Sequence, residues 1–329
     1  MLPISDVWVP RGRPLAAVLP LFPIYIPSKG RAALIPGTVR MLSTLRVPFS
    51  LVVEAPEVDD YRDQVERYGG YGRVLVLDPE YQRRYEPCCD LPPDASRGSG
   101  PARNFAWEHA LSEGHSYYWC LDDNHIDLEW FTGTRKIIAG DAGPLRYAEE
   151  LARRYQNVGM AGLSYESFCI PKKMPNTPMV NSRIYSCNLI RTDITHRWRG
   201  VYNEDTILSL DLLKAGWNTV MSRYGIVNKT ATMRTPGGNT STIYAAQDAH
   251  LRKAQVLVRT HPDVSRVTWR FNRVHHYVDF RQWRDRPFIP FPDATPMPDF
   301  HIDVVQRHWI TGAGPEAAAE PAPTEAGKP

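Results

Sequence analysis

At 329 residues, 43 % hydrophobic and 23 % charged, the chain can bury the core of one large or two modest domains. Its formal net charge of +3 does not by itself mark a nucleic-acid binder. No apolar run reaches a membrane span, since even Leu15 to Ile26 is broken by Pro20, Pro23 and Pro27.

No basic n-region leads into a clean apolar stretch, so secretion is not expected. Five cysteines (Cys88, Cys89, Cys120, Cys169, Cys187) form no C-x-x-C pair and read as reduced thiols of a cytoplasmic protein. Residues 1–20 hold four prolines and little periodicity, an irregular lead-in.

The first strand is Pro23 to Pro27, closing into the small basic loop Ser28-Lys29-Gly30-Arg31. Backbone N–H groups and a cation in such a loop can meet a nucleotide, although it is neither a Walker A nor a G-x-G-x-x-G sequence. A helix is expected within Leu34 to Leu45, after Pro36. A second strand, Ser50 to Val53, ends on Glu54. A helix over Val58 to Tyr68 stops at Gly69-Gly70, and Arg73 to Leu77 is a third strand. This alternation implies βαβ units and a mainly parallel sheet. Asp78 to Gly100 reads as a long polar loop. Pro101 then opens a helix in which Arg103 is placed to reach a phosphate.

The chain is organised around Tyr117-Tyr118-Trp119-Cys120-Leu121-Asp122-Asp123-Asn124. A short aromatic run reads as a buried strand, and it ends in two carboxylates and an amide. In open α/β sheets the ligand crevice lies at the carboxyl ends of strands. Hard oxygens there suit Mg²⁺ or Mn²⁺. The plainer reading is a solvated turn.

Leu145 to Tyr155 has the spacing of an amphipathic helix, and Val158 to Leu163 and Ser186 to Ile190 read as strands. Lys172 to Pro178 between them is either an acceptor wall or a solvent loop. Glu204 and Asp205 then open a helix running to Lys214. The helix dipole keeps carboxylates ionised there, as a general base requires, though simple capping explains the same residues. Thr219 to Tyr224 is a further strand. Lys229 to Asn239, with Arg234 and Gly237-Gly238, reads as a lid over a diphosphate or as a surface hairpin. The segment 252–286 interleaves Arg with Trp, Phe, Tyr and His, which suits phosphate contacts with base stacking or an ordinary cation–π surface. In a strand, at most one of His275 and His276 faces a site.

The ordered set Ile24–Arg31, Ala102–Asn104, Leu121–Asn124, Tyr202–Thr206, Lys229–Asn239 and His275–Tyr277 resembles the TET-associated glycosyltransferases of phages and related mobile elements. The resemblance spans about residues 20–285. It implies an α/β, GT-A-like (Rossmann-like) fold: a mixed, mainly parallel sheet flanked by helices, with a C-terminal acceptor-side extension. The boundaries it suggests are a lead-in at 1–20 and a transferase domain at 21–285. That domain divides into a donor half, 21–130, and an acceptor half, 131–285. A Pro-rich extension at 286–313 and a disordered tail at 314–329 follow.

The resemblance further implies transfer of a sugar from a nucleotide-sugar, of the UDP type, to 5-hydroxymethylcytosine in DNA. Asp205, with Glu204, would be catalytic. Pro27, Ser28, Lys29, Arg31, Glu54, Arg103, Asp122, Lys229, Arg234, Gly237 and Gly238 would hold the donor. Asp122, Asp123, Asn124 and His276 would hold Mn²⁺ or Mg²⁺, with Asn124 standing where many such folds have a second metal-binding Asp. A protein or polysaccharide acceptor, or a non-catalytic DNA-binding role, are the competing readings.

Overall fold

The computed structural model describes residues 18–34, 37–92, 95–230 and 248–294. Arg234, Gly237, Gly238 and the expected tail lie outside them.

Four strands form the parallel run foreseen from the βαβ pattern: β1 (Ile24–Pro27), β2 (Phe49–Val53), β3 (Gly72–Val76) and β4 (Tyr117–Leu121). They lie in the order β3-β2-β1-β4. The helices α1 (Gly37–Thr44), α2 (Val58–Arg67) and α4 (Gly100–Ser112) cover them. The long loop foreseen before Gly100 contains a short helix, α3 (Pro79–Arg84), whose Asp78 side chain caps the Glu80 N–H at 2.8 Å.

Beyond β4 the sheet turns mixed. Antiparallel to β4 lies β9 (Cys187–Arg191), followed by β7 (Val158–Tyr165), β10 (Asn218–Lys229), β5 (His125–Phe131) and β6 (Lys136–Ile138). The two-residue β8 (Met179–Val180) pairs with β10, making this a ten-stranded sheet among the described residues. Although β5 follows β4 directly in sequence, it pairs with β10 and β6 at the far edge. The expected donor and acceptor halves therefore interleave in one sheet.

Both faces of the central strands are dry, so these strands alternate between two cores. In β4, Tyr117, Trp119 and Leu121 pack with α1, α2 and α5 (Gly143–Arg153), while Tyr118 and Cys120 pack with α4 and α6 (Glu204–Lys214). The middle of helix α6 is buried on two sides, from Thr206 to Leu213 with Asp211 excepted. Leu208 and Leu212 face the sheet, whereas Ile207, Leu210 and Leu213 join Val256 and Leu257 of α7 (Ala249–Thr260) in a third cluster. That cluster carries the antiparallel hairpin β11 (Ser265–Arg270) and β12 (Arg273–Val278). Residues 286–291, foreseen as the start of an extension, are sewn back onto the body. The Pro287 carbonyl accepts from Asn157 and Asn218 at 2.9 Å each, and Phe291 N donates to the Arg154 carbonyl at 2.9 Å. No helix among the described residues is long and apolar enough to cross a membrane.

Candidate active site

Strands β1 and β4 are parallel neighbours, so their carboxyl ends, Ser28 and Asp122-Asp123, open on the same side of the sheet. The turn after β4 is held from beneath by α1. Thr38 Oγ1 donates to the Asp122 carbonyl at 2.6 Å and accepts from His125 N at 2.9 Å. The approach is close enough that a Cβ on Gly37 would sit 2.5 Å from the His125 carbonyl oxygen, which explains a glycine at the helix start.

The two aspartates of this turn point to different tasks. Asp123 is 5 % exposed; Ser28 Oγ donates to its Oδ2 at 2.6 Å and Arg31 pairs with its Oδ1. Ser28 is in turn bonded to Tyr61, at 2.7 Å. Asp123 thus ties the β1 loop to the β4 turn. Burial pushes its carboxyl above the ordinary range, against the pull of Arg31 and Ser28.

Asp122 faces the second acidic cluster. Arg103, 4 % exposed, donates to Asp122 Oδ1 at 2.8 Å and to Asp205 Oδ1 at 2.7 Å, and lies 3.6 Å from Glu204 Oε1. Lys229 donates to the other Asp122 oxygen at 3.0 Å and to Ser186 Oγ at 2.9 Å. Asp205 also accepts from Ser186 N at 3.3 Å and Asn188 Nδ2 at 3.1 Å. Ser186 reaches both aspartates because its backbone is left-handed (φ 71°), a conformation costing about 1–3 kcal/mol outside glycine. Three carboxylates thus share two cations, Arg103 and Lys229, with little water around them.

That imbalance sets the protonation states. Burial disfavours ionised Asp122, but Lys229 and Arg103 outweigh it and hold the carboxyl well below the usual range. Burial also acts on Asp205; there Glu204 and Asp122 oppose Arg103 and Lys229, and the carboxyl is pushed up to about 7. His125, buried beside Ser186, is driven down to about 3 by burial and stays neutral.

Arg103, Asp122, Asp123, Glu204, Asp205 and Lys229 line a crevice of about 470 Å³. It gathers Pro27, Ser28, Lys29, Arg31, Glu54, Arg103, Asp122 to Asn124, Glu204, Asp205, Lys229 and His276 from the expected set. Lys29 is paired with Glu54 at 2.6 Å. Arg103, foreseen as a phosphate contact, is instead a buried clamp between carboxylates. His275 lines the crevice together with its neighbour, so the expectation that at most one of the pair faces the site does not hold. Sequence reasoning missed Ser186, Asn188 and Tyr165, which carry no motif and reach the site only through the sheet. It also missed the individual roles of Arg183, Lys253 and Arg273 as cationic lining.

The expected metal ligands do not fit a divalent cation as they stand. Both oxygens of Asp122 and both of Asp123 are taken by cationic or hydroxyl donors. Asn124 Oδ1 is buried without a hydrogen-bond partner, but one neutral amide oxygen is not a hard-cation site. Burial, then His275, Lys253 and Arg183, pushes His276 down to about 3, and like charges around a ligand repel a metal ion. Among the described residues, no three His, Cys, Asp or Glu side chains are arranged to hold a metal.

Among solved structures, mouse xyloside xylosyltransferase 1 is 11 % identical, with a TM-score of 0.35 over 60 % of this chain and 83 % of that one. A putative nucleotide-diphospho-sugar transferase from Desulfovibrio desulfuricans is 12 % identical, with a TM-score of 0.35 over 74 % of this chain and 99 % of that one. GalNAc-T7, solved with UDP, GalNAc and Mn²⁺, is 8 % identical, with a TM-score of 0.38 over 64 % of this chain and 44 % of that one. These likenesses are too distant to carry a function, and no curated protein matches the chain. The profile of the TET-Associated Glycosyltransferase family, by contrast, matches residues 22–238, well over half of the sequence. The chain belongs to the TET-associated glycosyltransferase family, and it is a glycosyltransferase.

Proposed function

We propose that the protein transfers a sugar from a nucleotide-sugar of the UDP type to the hydroxyl of 5-hydroxymethylcytosine in DNA. The observation that supports this reading is the bridging of Asp122 and Asp205 by Arg103 inside a single crevice. The turn at the end of β4 and the start of α6 are thereby placed around one reacting centre.

The nucleoside lies against the β1 loop and Glu54, and the diphosphate faces the cationic wall of Arg183, Lys253 and Arg273. Asp205 takes the proton of the hydroxymethyl oxygen as that oxygen bonds to the anomeric carbon. The bond from that carbon to the diphosphate oxygen breaks with its electron pair, releasing the nucleoside diphosphate. A direct displacement of this kind inverts the anomeric centre. A carboxyl with a pKa near 7 is well matched to the task, because a general base works best near the operating pH. The target base leaves the duplex stack to enter the crevice, at a few kcal/mol. No step is routed through a divalent cation, since the donor set does not favour one.

The test is mass analysis of hydroxymethylated DNA after incubation with the protein and a panel of nucleotide-sugars. Unmodified DNA, oligosaccharides and protein serve as rival acceptors. A hexose-sized increment confined to the hydroxymethylated strand is expected; transfer confined to a saccharide or protein overturns the reading.

A further inference from the structure

The β11–β12 hairpin breaks the ordinary rules of its own geometry at three neighbouring positions. Its two-residue turn is Phe271-Asn272, with φ 54° and 55°. Turns with both residues left-handed favour Asn-Gly or Gly, and a bulky aromatic at the first position is costly. Arg270 and Arg273 face each other directly across the strands beside the turn, a like-charge pair that weakens the ladder. Trp269 and Phe271 are 68 % and 78 % exposed, the two most exposed large hydrophobic side chains described. Local violations of this kind belong at functional sites rather than in scaffolds.

The hairpin is also continuous with the crevice. Arg273, Val274, His275 and His276 line it, and the Phe271 ring stands 5.8 Å, edge on, from that of His275. Arg266, on β11, adds a third cation to the hairpin, stacked 4.3 Å over Tyr277. An aromatic tip between two guanidinium groups, at the mouth of a site that must receive one base, matches a stacked polyanion.

We infer that this hairpin is a wedge for duplex DNA. Phe271, supported by Trp269, enters the stack beside the target base and fills the gap left as that base swings into the crevice, while Arg270 and Arg273 hold the flanking phosphates. The inference rests on DNA being the acceptor. Apolar wedges that unstack a base step are a known way for proteins to deform a duplex, and aromatic stacking on bases needs no sequence match.

The experiment compares kcat/KM for one hydroxymethylated oligonucleotide in three forms: fully paired, single-stranded, and with the target opposite an abasic site. The ratio of paired to unpaired activity is read for the wild type, Phe271→Ala and Phe271→Trp. Loss of the wedge lowers that ratio roughly ten- to a hundred-fold in Phe271→Ala, and Phe271→Trp restores most of it. Because the readout is a ratio, a general loss of folded protein does not imitate the effect. A 2-aminopurine next to the target brightens when the wild type binds and stays dim with Phe271→Ala. An unchanged ratio, whether activity falls equally on all three forms or on none, overturns the wedge while leaving the DNA reading intact. A wild type inactive even on the single strand overturns both.

Discussion

The turn after β4 and the start of α6 are built from the same residue types, share one guanidinium, and end in opposite electrostatic states. Asp122 meets a second cation, Lys229, and stays ionised well below neutrality. Asp205 is lifted to about 7 by burial, with its neighbouring carboxylate Glu204 adding to the rise against the pull of Arg103. Composition therefore does not assign roles to acidic clusters; the count of cations within hydrogen-bond reach does. A permanently ionised carboxylate suits fixed electrostatics, and one titrating near neutrality suits proton transfer.

The contrast is broken most severely at Asp205. Asp205→Asn removes the base while keeping the Arg103 and Asn188 geometry, and transfer to hydroxymethylated DNA is expected to fall roughly 10²- to 10⁴-fold. Calorimetric UDP affinity should stay near wild type. Undiminished turnover in Asp205→Asn would remove it from the mechanism. Arg103→Met strikes both clusters together by leaving three carboxylates with one cation. Breaking one side of a buried ion network costs about 3–5 kcal/mol, and the low end applies here because the Asp122 side chain keeps 28 % exposure. Urea unfolding measures that loss, and a wild-type midpoint would show that the clamp contributes little.

A smaller effect sharpens the cation side. Lys229 and Arg103 occupy the Asp122 oxygens from which a divalent ion would be held, so Mn²⁺ titrated alone into the wild type should give no stoichiometric heat. Lys229→Ala leaves Asp122 Oδ2 with the Ser186 hydroxyl as its remaining donor and should raise Mn²⁺ affinity roughly tenfold, in proportion to a charge-assisted bond released to the ion. Tight binding by the wild type would mean that Lys229 yields to a metal.

How much of this was legible beforehand follows from the physics of each element. The strands β1, β2 and β4 are short apolar runs buried on both faces, so their positions showed in sequence. β5 was missed although Ile126, Leu128 and Trp130 alternate with His125, Asp127 and Glu129, the period of a half-buried strand. Helix α3 was equally readable from Asp78-Pro79 as cap and first turn. Nothing local announces Ser186, by contrast, because its role depends on antiparallel β9 lying beside β4 and on a left-handed backbone. The two acidic constellations were readable, yet the ion pairs that distinguish them arise only once β10 delivers Lys229.

The finest test of the contrast leaves every contact of Asp205 in place and changes only its neighbour. Since kcat/KM reports ionisations of the free enzyme, the wild type should gain about tenfold per pH unit below 7 and level off above it, as Asp205 loses its proton. Glu204 raises the Asp205 pKa by like-charge repulsion and also stands 3.6 Å from the guanidinium that lowers it. Glu204→Gln removes the repulsion and leaves Arg103 more fully to Asp205, so both changes favour the ionised form. The rising limb should move to lower pH, with rates gained at pH 6 and nearly unchanged at pH 8. A limb that moves upward, or loss of rate at both pH values, would mean that Glu204 handles the proton itself and that Asp205 only positions the clamp.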